Sequence, residues 1–382
     1  MKTAQRLLIA LLLLCDSASL RAQLPLGPQF RVNHDPTADL MSPRVAINAR
    51  GDFVVLWYGF GDSRGGILHA RRFRPDGKSA TDDIRVADQI VNNNENVDVA
   101  IQDDGSFLAI FSVSGALKLR RFAPDGTLLL EEQVASDSPY VPNASISARS
   151  DGRFVVAWSL FSGEVSARVL SPDGIPLGPV VTVDTASGVD FGARVAMGPK
   201  GDFVVVWRTF LGGDPSGRLL GNIQAQRYGP GGRPRGGKIL VSDHFGGITH
   251  VAKDGAGNFL VIWTELPGTS GLQGIYGRRL SAAGVPLGAA MPLVPTFTTG
   301  YAALAMAPDG SFVLAWELHD QDISAQVFAA DGVPPRPAFP APQVVSGIQR
   351  YPRVAIDGMG RFVVVWEDGG NLFGRLFKER RP

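Results

Sequence analysis

The chain has 382 residues, 45% of them hydrophobic, and its 37 Lys and Arg against 36 Asp and Glu leave a formal charge of +1. So balanced a composition carries no global field to draw in nucleic acid or an anionic membrane, and a nucleic-acid role is set aside. Length alone does not choose between several domains and one closed all-β unit.

The first residues read as an export signal. Lys2 and Arg6 form a basic end, "LLIALLLL" (7–14) is the apolar core, and "SASLRAQ" offers small residues for cleavage, expected after Ala22. That apolar run is far short of the ~20 residues that cross a bilayer, so no transmembrane segment is expected. Residues 1–22 are therefore expected as a signal peptide and 23–382 as one mature domain, secreted, periplasmic or at the cell surface. Cys15, the single cysteine, lies inside the signal, so the mature chain has neither a disulfide nor a thiol nucleophile. Leu12, Leu13 and Leu14 precede it, unlike the Leu-(Ala/Ser)-(Gly/Ala) that precedes a lipid-attachment cysteine. A soluble exported domain without disulfides depends on its core.

Seven copies of one segment follow: Gly51 "GDFVVLW", Gly105 "GSFLAIF", Gly152 "GRFVVAW", Gly201 "GDFVVVW", Gly257 "GNFLVIW", Gly310 "GSFVLAW" and Gly360 "GRFVVVW". A period of about 50 residues belongs to propellers and solenoids. All six tryptophans (Trp57, Trp158, Trp207, Trp263, Trp316, Trp366) close a copy, and Phe111 fills the slot in the second. One residue type at one place in each copy is a packing solution before it is a ligand cradle.

Around each copy, short β-branched and aromatic runs are punctuated by Gly, Pro and Asp. In the first, "PRVAINARG" turns into "DFVVLWYGF", then "GILHARRF" reaches "RPDG" and "DIRVAD" follows, which predicts a four-stranded antiparallel meander. The turn signal recurs as "APDG" (123–126), "SPDG" (171–174) and "AADG" (329–332). The mature N-terminus offers "PQFRVN" (28–33), which matches a fourth strand, while the last copy ends after its third, "NLFGRLF" (371–377). An N-terminal strand that completes the last sheet closes a ring, and closure removes exposed edges. The expected fold is all-β, a seven-bladed β-propeller. Ala46, Ala100, Ser147, Ala196, Ala252, Ala305 and Ala355 take equivalent places on the innermost strands, as a crowded axis demands.

These units resemble bacterial exported repeat proteins in which tandem "GxFVVxW" segments precede a strand like "IQAQRY" (223–228) or "ISAQVF" (323–328) and an "xPDG" turn. The resemblance covers 28–377 and implies the propeller, with no single activity attached. Sialidase Asp-boxes, the Trp-Asp of WD40 repeats and the D-x-D-x-D-G loops of integrin-like repeats are missing from the sequence.

Local catalytic signatures are also missing: H-E-x-x-H, G-x-S-x-G, G-x-x-x-x-G-K-S/T and Cys/His metal spacing do not occur. His34, His69, His244, His250 and His319 are scattered over the repeats, and His319-Asp320-Gln321-Asp322 reads as a solvated turn. No cofactor or metal is expected. Long, irregular connections gather at one end: 33–41, 89–96, 137–143, 210–221 and 265–272. That end is the expected binding face. Two residues before the small collar, on the same side by period-2 alternation, come Arg44, Asp98, Ser145, Arg194, His250, Ala303 and Arg353, which would surround the channel mouth. Arg44 and Arg353 become neighbours on closure and could address one carboxylate, sulfate or phosphate. Glu265, Glu317 and Glu367, just after the Trp of three consecutive blades, could add a carboxylate arc at the rim.

The reading is an exported, non-catalytic binding module, a monomer, that recognises an extracellular glycan, polymer or protein through the long-loop face and channel mouth. An extracellular polysaccharide hydrolase or lyase and a structural or adhesive surface protein are the alternatives, because propellers host all three.

Overall fold

Each GxFVVxW copy forms the second strand of a blade and is buried almost throughout, as in Phe53–Gly59, Phe154–Ser159 and Phe259–Glu265. A near-continuous apolar run suits a strand whose two faces are both covered. The structure, a computed structural model, describes residues 24–34, 40–59, 66–90, 97–113, 116–135, 143–160, 162–185, 189–215, 219–244, 246–265, 274–295, 298–318, 322–344 and 347–379. The expected signal peptide, Cys15 included, lies outside them.

The fold is all-β: seven blades of four antiparallel strands arranged in a ring, a seven-bladed β-propeller. The first blade runs outward through Leu40–Ile47, Phe53–Gly59, Gly66–Phe73 and Ile84–Ile90. The innermost strands of the second to seventh blades are Val97–Ile101, Asn143–Ala148, Val189–Met197, Thr249–Lys253, Thr298–Met306 and Gln349–Ile356. The seven glycines that open the copies have φ between 76° and 91°, and each closes a turn by donating to the carbonyl three residues earlier, as Gly51 does to Asn48. Such a φ needs glycine.

The apolar cores lie between blades. One joins Leu56 and Tyr58 of the first blade to Phe107 and Phe111 of the second, and the same arrangement recurs round the ring. All six tryptophans are at most 3% exposed and Phe111 is 1% exposed, so the aromatic that ends each copy is a core residue. Within a blade, the Phe of the copy pairs with the end of the third strand. Phe53 stacks on Phe73, Phe107 on Phe122, Phe203 on Tyr228 and Phe312 on Phe328, with centroids 4.8 to 4.9 Å apart.

Closure is as the sequence suggests. Phe30–Arg31 pairs with Gly374 and Phe373, and Leu24–Pro25 pairs farther along the same outer strand, so the last blade gains its fourth strand from the N-terminus. Val32 is fully buried in the core shared by the seventh and first blades. Asn33, 2% exposed, accepts from the Leu372 N–H at 2.9 Å and donates to Asn371 at 3.3 Å. Arginines on third strands tie each of five blades to an outer carbonyl of the blade before it: Arg71 to Val32, Arg120 to Val86, Arg168 to Val134, Arg278 to Val241 and Arg375 to Ala341.

Along the axis, the small collar sits at one register. Ala46, Ala100, Ser147, Ala196, Ala252, Ala305 and Ala355 each pair with the residue after the Phe of their blade's second strand. Tight turns join first to second and third to fourth strands at one end of the ring. The other two connections of each blade share the opposite end, where most residues of the long segments lie outside the described set.

Candidate functional site

Two residues before the collar, Arg44, Asp98, Ser145, Arg194, His250, Ala303 and Arg353 pair with positions three beyond each copy's Phe. The seven positions therefore form a second ring, nearer the long-loop end. They line a cavity of about 170 Å³ on the axis. The structure thus gathers at one place the channel-mouth residues that the sequence scatters over seven repeats.

The arginines stand on a backbone device that the sequence did not announce. In the first blade, Met41 pairs with Tyr58 and Arg44 with Leu56, so the inner strand holds one extra residue. The same bulge lies between Phe191 and Arg194 and between Arg350 and Arg353. In each, the residue two before the arginine has left-handed φ: Ser42 at 58°, Gly192 at 64° and Tyr351 at 55°. Non-glycine residues adopt this conformation at a cost of about 1–2 kcal/mol, and bulges of this kind re-aim side chains. Each guanidinium then donates from Nη1 to the carbonyl just before it: Arg44 to Pro43 at 3.1 Å, Arg194 to Ala193 at 3.2 Å and Arg353 to Pro352 at 2.8 Å. A guanidinium carries five N–H donors in one plane, and such a tether sets that plane. Arg44, 7% exposed, also reaches from Nε to the Val97 carbonyl of the second blade at 3.1 Å.

The other polar members join blades to one another. Asp98 accepts from its neighbour Val99 N–H and from Ile146 N–H of the third blade, both at 3.0 Å. Ser145 accepts from Val195 N–H of the fourth blade at 3.4 Å. His250 differs: its ring is partly buried and its Nε2 is buried without a hydrogen-bond partner. Burial, with the positive charge of Arg194, Arg353 and Arg44 beside it, holds the imidazole well below its ordinary pKa, while the Ala302 backbone opposes the shift. At neutral pH the ring therefore presents three guanidinium charges, one carboxylate and one neutral imidazole. That set can hold an oxyanion, beside which His250 stays neutral.

The rim carboxylates depart from expectation. Glu265 and Glu317 are 2% and 4% exposed, and Glu367 is half-buried, so they form no open arc beside the cavity. Glu265 is the second residue after its tryptophan, not the first. Alternation therefore returns it to the Trp263 side of the strand, where it accepts from the indole N–H at 2.7 Å and meets His244 Nδ1 at 3.3 Å. Glu317 follows its tryptophan directly and lies inside the blade stack. His319, Asp320 and Gln321 lie outside the described residues. Among the described residues there is no group of three His, Cys, Asp or Glu placed to hold a metal ion, and no helix long and apolar enough to cross a membrane.

No protein-family model matches the chain, and no curated protein matches it. Solved structures do. A polysaccharide lyase, the PL25 ulvanlyase, is similar at TM-score 0.60 and 11% identity, over 92% of this chain and 96% of that one. The WD40 domain of Toxoplasma gondii coronin is similar at 0.58 and 12%, over 94% and 87%. A protein of unknown function from Dyadobacter fermentans is similar at 0.54 and 12%, over 94% and 99%. At these identities the likeness is one of fold.

Proposed function

We propose that this propeller is an exported binding module without catalytic machinery of its own, which takes an anionic group of an extracellular glycan, polymer or protein into the channel mouth. One observation carries the reading. The same left-handed bulge and the same carbonyl tether aim an arginine at one cavity from three blades, and two of the three bulges put a non-glycine residue at positive φ. Local strain of this kind concentrates where a side chain must be placed for a task. The test is titration of the mature chain, residues 23–382, with anionic and neutral oligosaccharides, sulfate and phosphate, followed by thermal shift. Saturable stabilisation by anions that is lost in Arg44→Ala/Arg353→Ala supports the reading; binding indifferent to both changes overturns it.

A second reading, an extracellular polysaccharide lyase, is favoured by His250. A carboxylate bound by the guanidiniums would offset the charge that keeps His250 from taking a proton, so the imidazole becomes a base only with substrate in place. Hydrolysis has less support, since Glu265 and Glu317 are buried rather than facing each other across the cavity. Cleavage of an anionic polysaccharide that is abolished in His250→Ala would establish the lyase, and binding without turnover would leave the module.

A further inference from the structure

The arginines are not spread evenly round the mouth. In a ring of seven blades the first and seventh are neighbours, and the fourth stands opposite the seam between them. Arg194 therefore faces the Arg44–Arg353 pair across the channel. On one flank between them, Asp98 and Ser145 are engaged by backbone amides of neighbouring blades. On the other flank come His250 and then Ala303, the one ring position whose side chain ends at Cβ and so the smallest side chain of the ring.

Two tyrosines meet between the sixth and seventh blades. Tyr301 and Tyr351 stand two residues closer to the long-loop end than Ala303 and Arg353, and their rings touch edge to face with centroids 4.7 Å apart at 80°. Tyr351 is the residue at φ 55° in its bulge. Ser42 and Gly192 build the same bulge in the first and fourth blades, so the bulge itself has no need of an aromatic. A bulky side chain kept in the left-handed region is an outlier that points to a use for that side chain.

We infer that the ligand is a saccharide unit bearing a carboxylate or a sulfate, with its anion held between Arg194 and the Arg44–Arg353 pair and its ring leaving over Ala303 onto Tyr301 and Tyr351. This rests on the reading of the mouth as an anion site and adds the body that carries the anion. A bare inorganic anion makes no use of the tyrosines, and a neutral sugar makes no use of the guanidiniums. A sugar ring offers an apolar C–H face to the aromatic rings and hydroxyls to the phenol groups, so it uses both.

The experiment is calorimetric titration of the mature chain with glucuronate, glucose 6-sulfate, inorganic sulfate and glucose, repeated on Tyr301→Ala and on Tyr351→Gly. Glycine is chosen for the second because it keeps the left-handed φ; Tyr351→Asn serves if the glycine variant does not fold. The expected result is that at least one of the two anionic sugars binds about tenfold or more tighter than sulfate, a difference the method resolves easily. Tyr301→Ala should bring that sugar down to the sulfate level and leave sulfate itself unmoved, and Tyr351→Gly should weaken the sugar by a larger factor than it weakens sulfate. Anionic sugars no tighter than sulfate, or affinities unmoved by both tyrosine changes, overturn the inference and leave the anion site standing. No binding of any anion overturns both.

Discussion

Asn33→Ala should loosen the ring at its seam. The Asn33 side chain is 2% exposed and its oxygen is a hydrogen-bond acceptor for the Leu372 N–H at 2.9 Å, on a residue that is itself fully buried. Alanine leaves that amide buried without this partner, and an unsatisfied buried donor costs about 1–3 kcal/mol. Losing the contact to Asn371 adds little, since that bond is long at 3.3 Å. For a domain of this size, ~2 kcal/mol lowers Tm by roughly 3 °C. The assay is urea unfolding together with hydrogen exchange, in which the Leu372 amide should lose protection while amides of the third and fourth blades keep theirs. An unchanged midpoint, or a loss of protection spread evenly over all blades, would refute the idea that the N-terminal strand closes the ring by this bond.

Other consequences can be checked on single variants. Ala196→Leu overfills the collar at a site 6% exposed and should destabilise by about 1–3 kcal/mol, read from denaturant midpoints; a neutral result would mean the axis is not crowded. His250 has its folded-state pKa well below the ordinary value, so its contribution is intact above pH ~6.5 and is lost as pH falls below that, because the unfolded state then binds a proton that the folded state refuses. The stability difference between His250→Gln and wild type should therefore move in favour of the variant on going from pH 7.5 to 5, and a flat difference contradicts the shift. Asp190, fully buried with one bond from Thr209 at 2.7 Å, is pushed up to about 6, chiefly by burial. Its carboxyl favours folding below the unfolded pKa of about 4, and that advantage disappears as pH rises through about 6. Asp190→Asn should accordingly stabilise the protein at pH 7 by roughly 2 kcal/mol and have little effect near pH 4; equal effects at both pH values would refute it.

The repeat made much of this structure readable in advance. Seven glycine-opened copies, an N-terminal run matching a missing fourth strand and a column of Ala and Ser are each direct records of how blades pack and close. The mouth ring was readable too, because Arg44 and its six counterparts lie two positions before the collar on regular strand, with one residue between. What lay one step farther out was not. The bulges at Ser42, Gly192 and Tyr351 have three different left-handed residues, two followed by Pro and one by Ala, so no common signature marks them beyond the repeated "PRVAI" of the first and seventh blades. Glu265 leaves the rim because a shift of one residue relative to the tryptophan changes the face of the strand. The arginine ties, such as Arg71 to Val32, join a side chain to a carbonyl 34 to 39 residues away, and a carbonyl leaves no trace in a sequence.

The arginine mouth is the proposed binding site, and the most direct measurement compares wild type with Arg44→Ala/Arg353→Ala in a thermal-shift titration with anionic saccharides. A ligand specific for the folded state, at a hundredfold over its Kd, stabilises by about 2.7 kcal/mol. Each charge-assisted hydrogen bond removed should cost about 1.5–3 kcal/mol of binding, so the double variant should show no shift at that concentration while melting cooperatively on its own. An equal shift in wild type and variant would contradict the account and move the site elsewhere on the propeller.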